Sequence, residues 1–342
     1  VRIGVLTGGG DCPGLNAAIR AIVRKGVDRY GHAVIGFRDG WRGVLENSTV
    51  ELTLESTRGI IHRGGTILGS SRTNPYKDGD GSPRVRETMQ SLHLDGLIAI
   101  GGEDTLGVAA KLSAAGINVI GLPKTIDNDL GGTDMTFGFD TALQVATDAI
   151  DRLHTTAESH HRVMVLEVMG RHAGWIALYS GIAGGADVVL IPEKPFDIDE
   201  VCRLIRRRHS RGHYFSIVVV AEGALPIEGQ METIGGETDA FGHVRLGGIG
   251  VRLEKEIEQR TGFETRATIL GHIQRGGTPT AFDRVLATRL GIAAIDAAHS
   301  DRWGHMAALK GQRIDLVSLA EAVKGLHTVS DGDYAVAEAL SG

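Results

Sequence analysis

Short apolar runs in this chain repeatedly end in glycine, and helical spacing follows. Ile3-Gly4-Val5-Leu6 leads into Gly8-Gly9-Gly10-Asp11 and then a helix-periodic stretch over 15–27. Leu97-Ile98-Ala99-Ile100 leads into Gly101-Gly102 and an Ala-rich helical stretch over 106–115. Residues 32–36 and Val119-Ile120-Gly121-Leu122 read as two further strands. Alternation of buried strand, tight turn and helix predicts an α/β fold with a mostly parallel sheet. The 49 glycines are roughly twice the usual share. They are not periodic, which excludes collagen, and they sit where a turn or a close ligand approach needs them. Ligands of such sheets lie beyond the carboxyl ends of the strands, and the glycine-rich and acidic segments fall at those ends.

A second series starts near residue 139. Residues 140–153 are helix-periodic, 162–168 and 187–191 are strand-like, 199–209 form a basic helix, and 215–221 is the clearest buried strand. A loop-rich stretch is expected over 225–246. A helix is expected over 250–260, a short strand over 268–270 and a long helix over 281–298. The chain of 342 residues is long enough for two domains. The expected division is 1–138 with about 274–325, and 139–273 with about 326–342. With 42% hydrophobic and 23% charged residues, a sizeable core is available. The formal charge of -6 gives no sign of a nucleic-acid partner. Two cysteines, Cys12 and Cys202, exclude a disulfide scaffold or a cysteine-rich zinc site. No apolar run reaches the roughly 18 residues of a membrane span, and Val1-Arg2-Ile3 does not read as an unprocessed signal; one already removed is left open. A cytoplasmic setting is expected.

Three strand ends carry chemistry. Gly8-Gly9-Gly10-Asp11 is either a phosphate cradle or a tight turn, and it lacks both GxGxxG spacing and the Lys-Ser/Thr of a nucleotide P-loop. Gly101-Gly102-Glu103-Asp104-Thr105 puts two acids at a helix start, where they serve as caps or hold a metal beside phosphate. Pro123-Lys124-Thr125-Ile126-Asp127-Asn128-Asp129 puts an ammonium and two carboxylates in one short loop, either solvated or part of a metal–phosphate site. In the second case Asp127 takes a proton from a hydroxyl and Asp129 assists the metal, or the reverse. Arg63, Arg72, Arg162, Arg171, Arg266 and Arg275 recur in glycine-rich or polar settings. As a group they suit a substrate with more than one phosphate. Glu222 follows the clearest strand and suits a sugar hydroxyl. Met169 and Trp175 read as packing residues, and His272 lies three residues before Arg275.

These segments resemble the bacterial 6-phosphofructokinase family over essentially the whole chain. The matches lie at 8–20, 64–72, 101–105, 123–132, 169–175, 219–223 and 271–277. The resemblance implies the phosphofructokinase fold: two Rossmann-like three-layer α/β/α domains, a largely parallel sheet in the first, and a cleft between them. It implies phosphoryl transfer to the 1-hydroxyl of fructose 6-phosphate. Carried over by position, Asp127 resembles the catalytic base, Arg171 the cation beside the transferred group, and Gly10 the glycine whose backbone meets it. Glu103 and Asp129 match the acids associated with Mg²⁺, Glu103 standing where aspartate is usual. Thr125, Met169, Gly170 and Glu222 match sugar-binding positions. Arg162, Arg266, His272 and Arg275 match the cluster around the sugar phosphate. Arg162 and Arg266 would come from a neighbouring subunit of a homo-oligomer, a dimer or tetramer. Arg72 matches the donor side.

Asp104 stands where ATP users of the family keep glycine, and Lys124 where many keep glycine. Asp104 adds bulk and negative charge along the path of an ATP α-phosphate. Lys124 adds a cation for the departing phosphate and joins Asp104 in the catalytic and donor-binding set. Together they resemble the pyrophosphate-dependent, actinobacterial-like subclass. Asp104 carries most of that inference, because some ATP-dependent actinobacterial relatives also have the lysine. The alternatives are an ATP-dependent 6-phosphofructokinase and, in another class, an inactive sugar-phosphate-binding regulatory subunit.

Overall fold

The computed structural model describes residues 1–231 and 246–341. Among these, the chain separates into two units. The first comprises Val1–Thr141 and Arg275–Leu326; the second comprises 142–231, 246–274 and 327–341.

In the first unit, apolar runs become strands and the amphipathic stretches between them become helices. In chain order these are β1 (Arg2–Thr7), α1 (Leu15–Tyr30), β2 (Ala33–Phe37), α2 (Trp41–Glu46), β3 (Thr49–Leu52), α3 (Ser82–Ser91), β4 (Gly96–Gly101), α4 (Glu103–Ala114), β5 (Val119–Thr125) and β6 (Phe137–Gly138). Next comes α5 (Phe139–His160), whose first residues belong to this unit and whose remainder opens the second.

The second unit continues with β7 (Val163–Val168), α6 (Trp175–Ala183), β8 (Val188–Leu190), α7 (Ile198–Ser210), β9 (Ser216–Ala221), α8 (Ile249–Thr261) and β10 (Thr265–Ile269). A 3-10 turn over Gly271–Arg275 leads back to the first unit and to α9 (Ala281–His299), β11 (His305–Lys310), β12 (Arg313–Ser318) and α10 (Leu319–Ala322). The second unit ends with α11 (Asp331–Leu340).

The first unit's sheet runs β12-β11-β5-β4-β1-β2-β3, with β6 paired to the end of β5. Its centre is parallel, and its two edge pairs, β2–β3 and β11–β12, are antiparallel. Strand side chains alternate between faces. Leu97 and Ala99 of β4 therefore join one core with Val108 and Leu112 of α4, while α1 and α9 pack together and α9 lies on β5. The second unit has a parallel sheet ordered β10-β7-β9-β8. Val165, Val218, Val220, Val201, Ile205 and Leu253 belong to its core.

The strand expected at 268–270 begins earlier, at Thr265, because β10 pairs along β7 from Val163 onward. The expected loop-rich stretch 225–246 lies mostly outside the described residues, apart from 225–231 and 246.

Candidate active site

Adjacent strands bring the three chemistry-bearing strand ends of the first unit side by side. Thr7 of β1 pairs with Ile100 of β4, and Gly101 of β4 pairs with Pro123 of β5. The glycine loop after β1, the start of α4 and the acidic loop after β5 therefore share one sheet edge.

Packing and the backbone shape the glycine loop. Gly8 has no room for a side chain, since a Cβ would lie 2.5 Å from Thr105 Oγ1. The N–H groups of Gly8 and Gly9 donate to Ile100 O at 2.9 Å and Ser71 O at 3.1 Å. Of the three glycine amides, Gly10 remains without a protein acceptor among the described residues. A side chain at Gly10 would press into the Arg275 guanidinium, with Arg275 Cζ at 2.8 Å from its Cβ. Arg275, expected with the sugar-phosphate cluster, belongs to the first unit and reaches the glycine loop.

Lys124 is 3% exposed, and its Nζ donates to Gly10 O. It ties the end of β5 to the loop after β1. Burial pushes its pKa below the usual lysine value, and the nearby Arg275 pushes the same way. The charges of Asp127 and Asp11 oppose that shift. Arg72 is exposed and follows Ser71, whose carbonyl accepts the Gly9 N–H. Asn16 of α1 fixes the preceding loop by donating to Arg63 O at 3.1 Å and accepting from Ile67 N at 2.9 Å. Nothing in the sequence pattern marked Asn16 for this role.

Asp127 is 5% exposed. Its Oδ2 accepts from Thr125 Oγ1 at 3.2 Å, and its N–H donates to the same hydroxyl at 3.1 Å. Its Oδ1 is buried without a hydrogen-bond partner among the described residues. Beside it, Asn128 takes a left-handed φ of 54 and accepts Thr136 N at 2.9 Å, which closes the loop. Asp129 is buried, Glu103 is exposed at the first position of α4, and Asp104 beside it is half-buried.

No group of three or more His, Cys, Asp or Glu among the described residues is arranged to hold a metal. Glu103 and Asp129 nevertheless offer hard carboxylate oxygens, and the backbone before Glu103 adjoins β5: a Cβ on Gly102 would be 3.5 Å from Lys124 O. Such a sparse oxygen set fits Mg²⁺, which keeps waters and shares phosphate oxygens rather than entering a closed protein cage.

In the second unit, Met169, Gly170 and Arg171 follow β7. Met169 N donates to Gln274 Oε1 at 3.4 Å, and Arg171 N donates to Glu222 Oε1 at 3.2 Å. Arg171 has a φ of 50, and Glu222 is anchored in turn by its own N–H on Val168 O at 2.8 Å. Gln274, fully buried, is a supporting residue that the sequence did not reveal. Arg162 and Arg266 meet on one carboxylate, with Glu264 Oε1 at 2.8 Å from Arg162 Nη2 and 2.6 Å from Arg266 Nη2. The Arg162 guanidinium holds the Glu264 carboxyl below its usual range, with Arg266 adding to the effect. His272 is exposed in the 3-10 turn.

The phosphofructokinase family pattern matches residues 2–298. The chain is 60% identical over 335 residues to a pyrophosphate–fructose 6-phosphate 1-phosphotransferase of Streptomyces coelicolor, covering 98% of each chain. It is 56% identical over 340 residues to ATP-dependent 6-phosphofructokinase 3 of the same organism, covering 99% of this chain and 100% of the other. The solved T-state phosphofructokinase of Pichia pastoris superposes with a TM-score of 0.84 at 33% identity, covering 99% of this chain and 38% of that longer one. Family pattern, long high-identity matches and fold agree with the clustered strand ends: the chain belongs to the phosphofructokinase family and is an enzyme of the phosphotransferase class.

Proposed function

We propose that the enzyme transfers a phosphoryl group reversibly from diphosphate to the 1-hydroxyl of fructose 6-phosphate, giving fructose 1,6-bisphosphate and phosphate. The setting is glycolysis or gluconeogenesis in the cytoplasm, and the enzyme is a homo-oligomer. The observation that carries the catalytic reading is the Oδ1 of Asp127, buried without a partner among the described residues. Leaving a buried acceptor unsatisfied costs about 1–3 kcal/mol, and a substrate hydroxyl donating to it removes that cost. Thr125 orients the carboxylate through the other oxygen.

Asp127 takes the proton as the sugar oxygen bonds to phosphorus and the bond from phosphorus to the bridging oxygen breaks. Arg171 and the Gly10 N–H stabilise charge on the transferring group. Met169, Gly170 and Glu222 hold the sugar, and Arg162, Arg266, His272 and Arg275 hold its phosphate. In this reading Arg275 also borders the donor loop, as its place beside Gly10 supports. Glu103 and Asp129 would hold Mg²⁺, which when bound neutralises phosphate oxygens.

Diphosphate is the donor in this reading. Arg72 and Lys124 receive it, and the arriving anion favours the charged form of the buried lysine. Asp104, in the first turn of α4, opposes a longer polyphosphate by charge and bulk. Identity alone does not separate the donors, since relatives named for each lie at 60% and 56%. The second reading, ATP as donor, is favoured by the latter. Parallel assays with diphosphate and ATP decide: turnover with diphosphate and little with ATP is expected, and robust ATP turnover with none for diphosphate overturns the donor assignment.

A further inference from the structure

We infer that Glu193, with the 327–329 segment it holds, positions Arg171 for phosphoryl transfer. The inference rests on the role proposed above for Arg171. With a φ of 50, Arg171 has a backbone conformation that a non-glycine residue keeps only when its surroundings over-determine it. On one side the Glu222 carboxylate accepts Arg171 N at 3.2 Å. On the other, Ala173 N closes the turn on Gly170 O at 2.9 Å, and the turn ends at Gly174.

Glu193 is the anchor at that end. Gly174 N donates to its Oε1 at 2.9 Å and to its Oε2 at 3.1 Å. Val329 N donates to the same Oε1 at 2.9 Å. The carboxylate sits so close beneath the turn that a Cβ on Gly174 would lie 2.8 Å from Oε2. One side-chain oxygen thus joins the end of the Arg171 turn to the segment before α11. Trp175 makes a second link: its Nε1 donates to His327 O at 2.8 Å, and the Trp175 and His327 rings lie 4.7 Å apart. Trp175, read from the sequence as a packing residue, thus also makes a hydrogen bond. Glu193 is assigned no contact with substrate; it acts through the backbone that presents Arg171.

The bond pattern separates geometry from charge. A glutamine carbonyl has two lone pairs, so Glu193→Gln can keep both 2.9 Å bonds on Oε1, while its NH₂ turns the 3.1 Å acceptor into a donor facing Gly174 N. Glu193→Asp keeps the charge but is a methylene too short, and Glu193→Ala loses everything. Steady-state kinetics with both substrates, and amide hydrogen exchange in peptides covering 171–175 and 327–331, test this. Ala and Asp variants are expected to lose about 10- to 100-fold in kcat, the scale of an ångström-sized misplacement, with KM for fructose 6-phosphate within about threefold. Both peptides should exchange faster in those variants, and Glu193→Gln, which keeps the Oε1 bonds but sets a donor against Gly174 N, should lie between them and wild type in every readout.

Faster exchange with unchanged kcat in Glu193→Ala overturns the inference. So does a Gln variant worse than the Asp variant. If Glu193→Ala does not fold, Trp175→Phe removes only the indole donor and should lower kcat several-fold at constant KM; an unchanged kcat there overturns the inference too. A wild-type protein without phosphotransfer sinks the functional reading instead, while exchange at the two peptides still judges the anchor.

Discussion

The Asp127 carboxylate is placed where reactivity and stability pull in opposite directions. Its Oδ2 is held by Thr125, whereas its Oδ1 is buried without a donor among the described residues. Asp127→Asn preserves shape and removes the base, so kcat should fall by about 10²–10⁴-fold while sugar binding persists. The same change relieves a buried charge, so the variant should melt no lower than wild type. Kinetics, fructose 6-phosphate titration and a thermal scan check this, and a near-normal kcat removes Asp127 as the base. In the function proposed above, Asp104 and Lys124 act on the donor. Asp104→Gly should improve ATP affinity without making a good ATP enzyme, because Lys124 remains. An unchanged ATP affinity contradicts the charge-and-bulk account. Lys124→Met should raise KM for diphosphate and lower the melting temperature, because it removes the donor that holds Gly10 O, even though an apolar chain of similar length relieves the ammonium that burial disfavours.

At the element scale, the start of α9 secures the acidic loop. Asp283, fully buried in its first turn, accepts Gly138 N at 2.9 Å, Thr141 N at 2.8 Å and Thr141 Oγ1 at 2.5 Å. Those bonds fix β6, whose Phe137 and Gly138 pair with Lys124 and Thr125. Burial pushes the Asp283 pKa from 3.8 up to about 6, against the pull of its hydrogen bonds. The folded chain therefore holds this proton more tightly than the unfolded chain. The resulting stabilisation is complete below about 3.8 and is lost as pH rises through about 6. The shift corresponds to roughly 3 kcal/mol. The stability difference between wild type and Asp283→Asn should shrink by about that much from pH 4 to pH 7 in denaturant titrations, and a flat difference contradicts the assignment. Such a residue is hard to read in a sequence, because its partners are amides that only the fold brings near. Gln274 and Glu193 escape for the same reason. So does Glu167, hidden in an apolar strand, whose buried carboxylate accepts Gly248 N at 3.0 Å and Gly250 N at 2.8 Å. The central strands and the loops at their ends were legible, since parallel strands buried on both faces are unbroken apolar runs. The edge elements β3 and β12, the two-residue β6 and the short α11 carry no such signal. The sequence suggests Arg275 as a phosphate-suited residue, but nothing in it shows the place beside Gly10.

At the scale of the molecule, the residues proposed to grip the sugar phosphate point to assembly. Arg162 lies just before β7, and Arg266 lies on the neighbouring β10, the last strand on that side of the second unit's sheet. Glu258 and Glu254 of α8 accept the N–H groups of Thr265 at 3.4 Å and Ala267 at 2.9 Å, which blunts main-chain pairing at that edge, so a neighbouring copy would meet side chains there. Here Ile269 is 48% exposed, and Ile273 beyond it is 68% exposed. Glu264 holds both guanidinium groups, and the Arg162 Nε is buried without a partner among the described residues. A phosphate from a neighbouring copy's site would compete for these cations. The enzyme should therefore run as a dimer or tetramer in light scattering at assay concentrations. Arg162→Ala and Asp127→Ala should each be nearly inactive alone. If each site combines Asp127 of one subunit with Arg162 of the next, mixed oligomers refolded from the two variants contain some sites with both residues intact. Activity should then return on mixing, in proportion to hybrid content. A monomer of full activity, or hybrids as inactive as their parents, would leave Arg162 serving only its own chain.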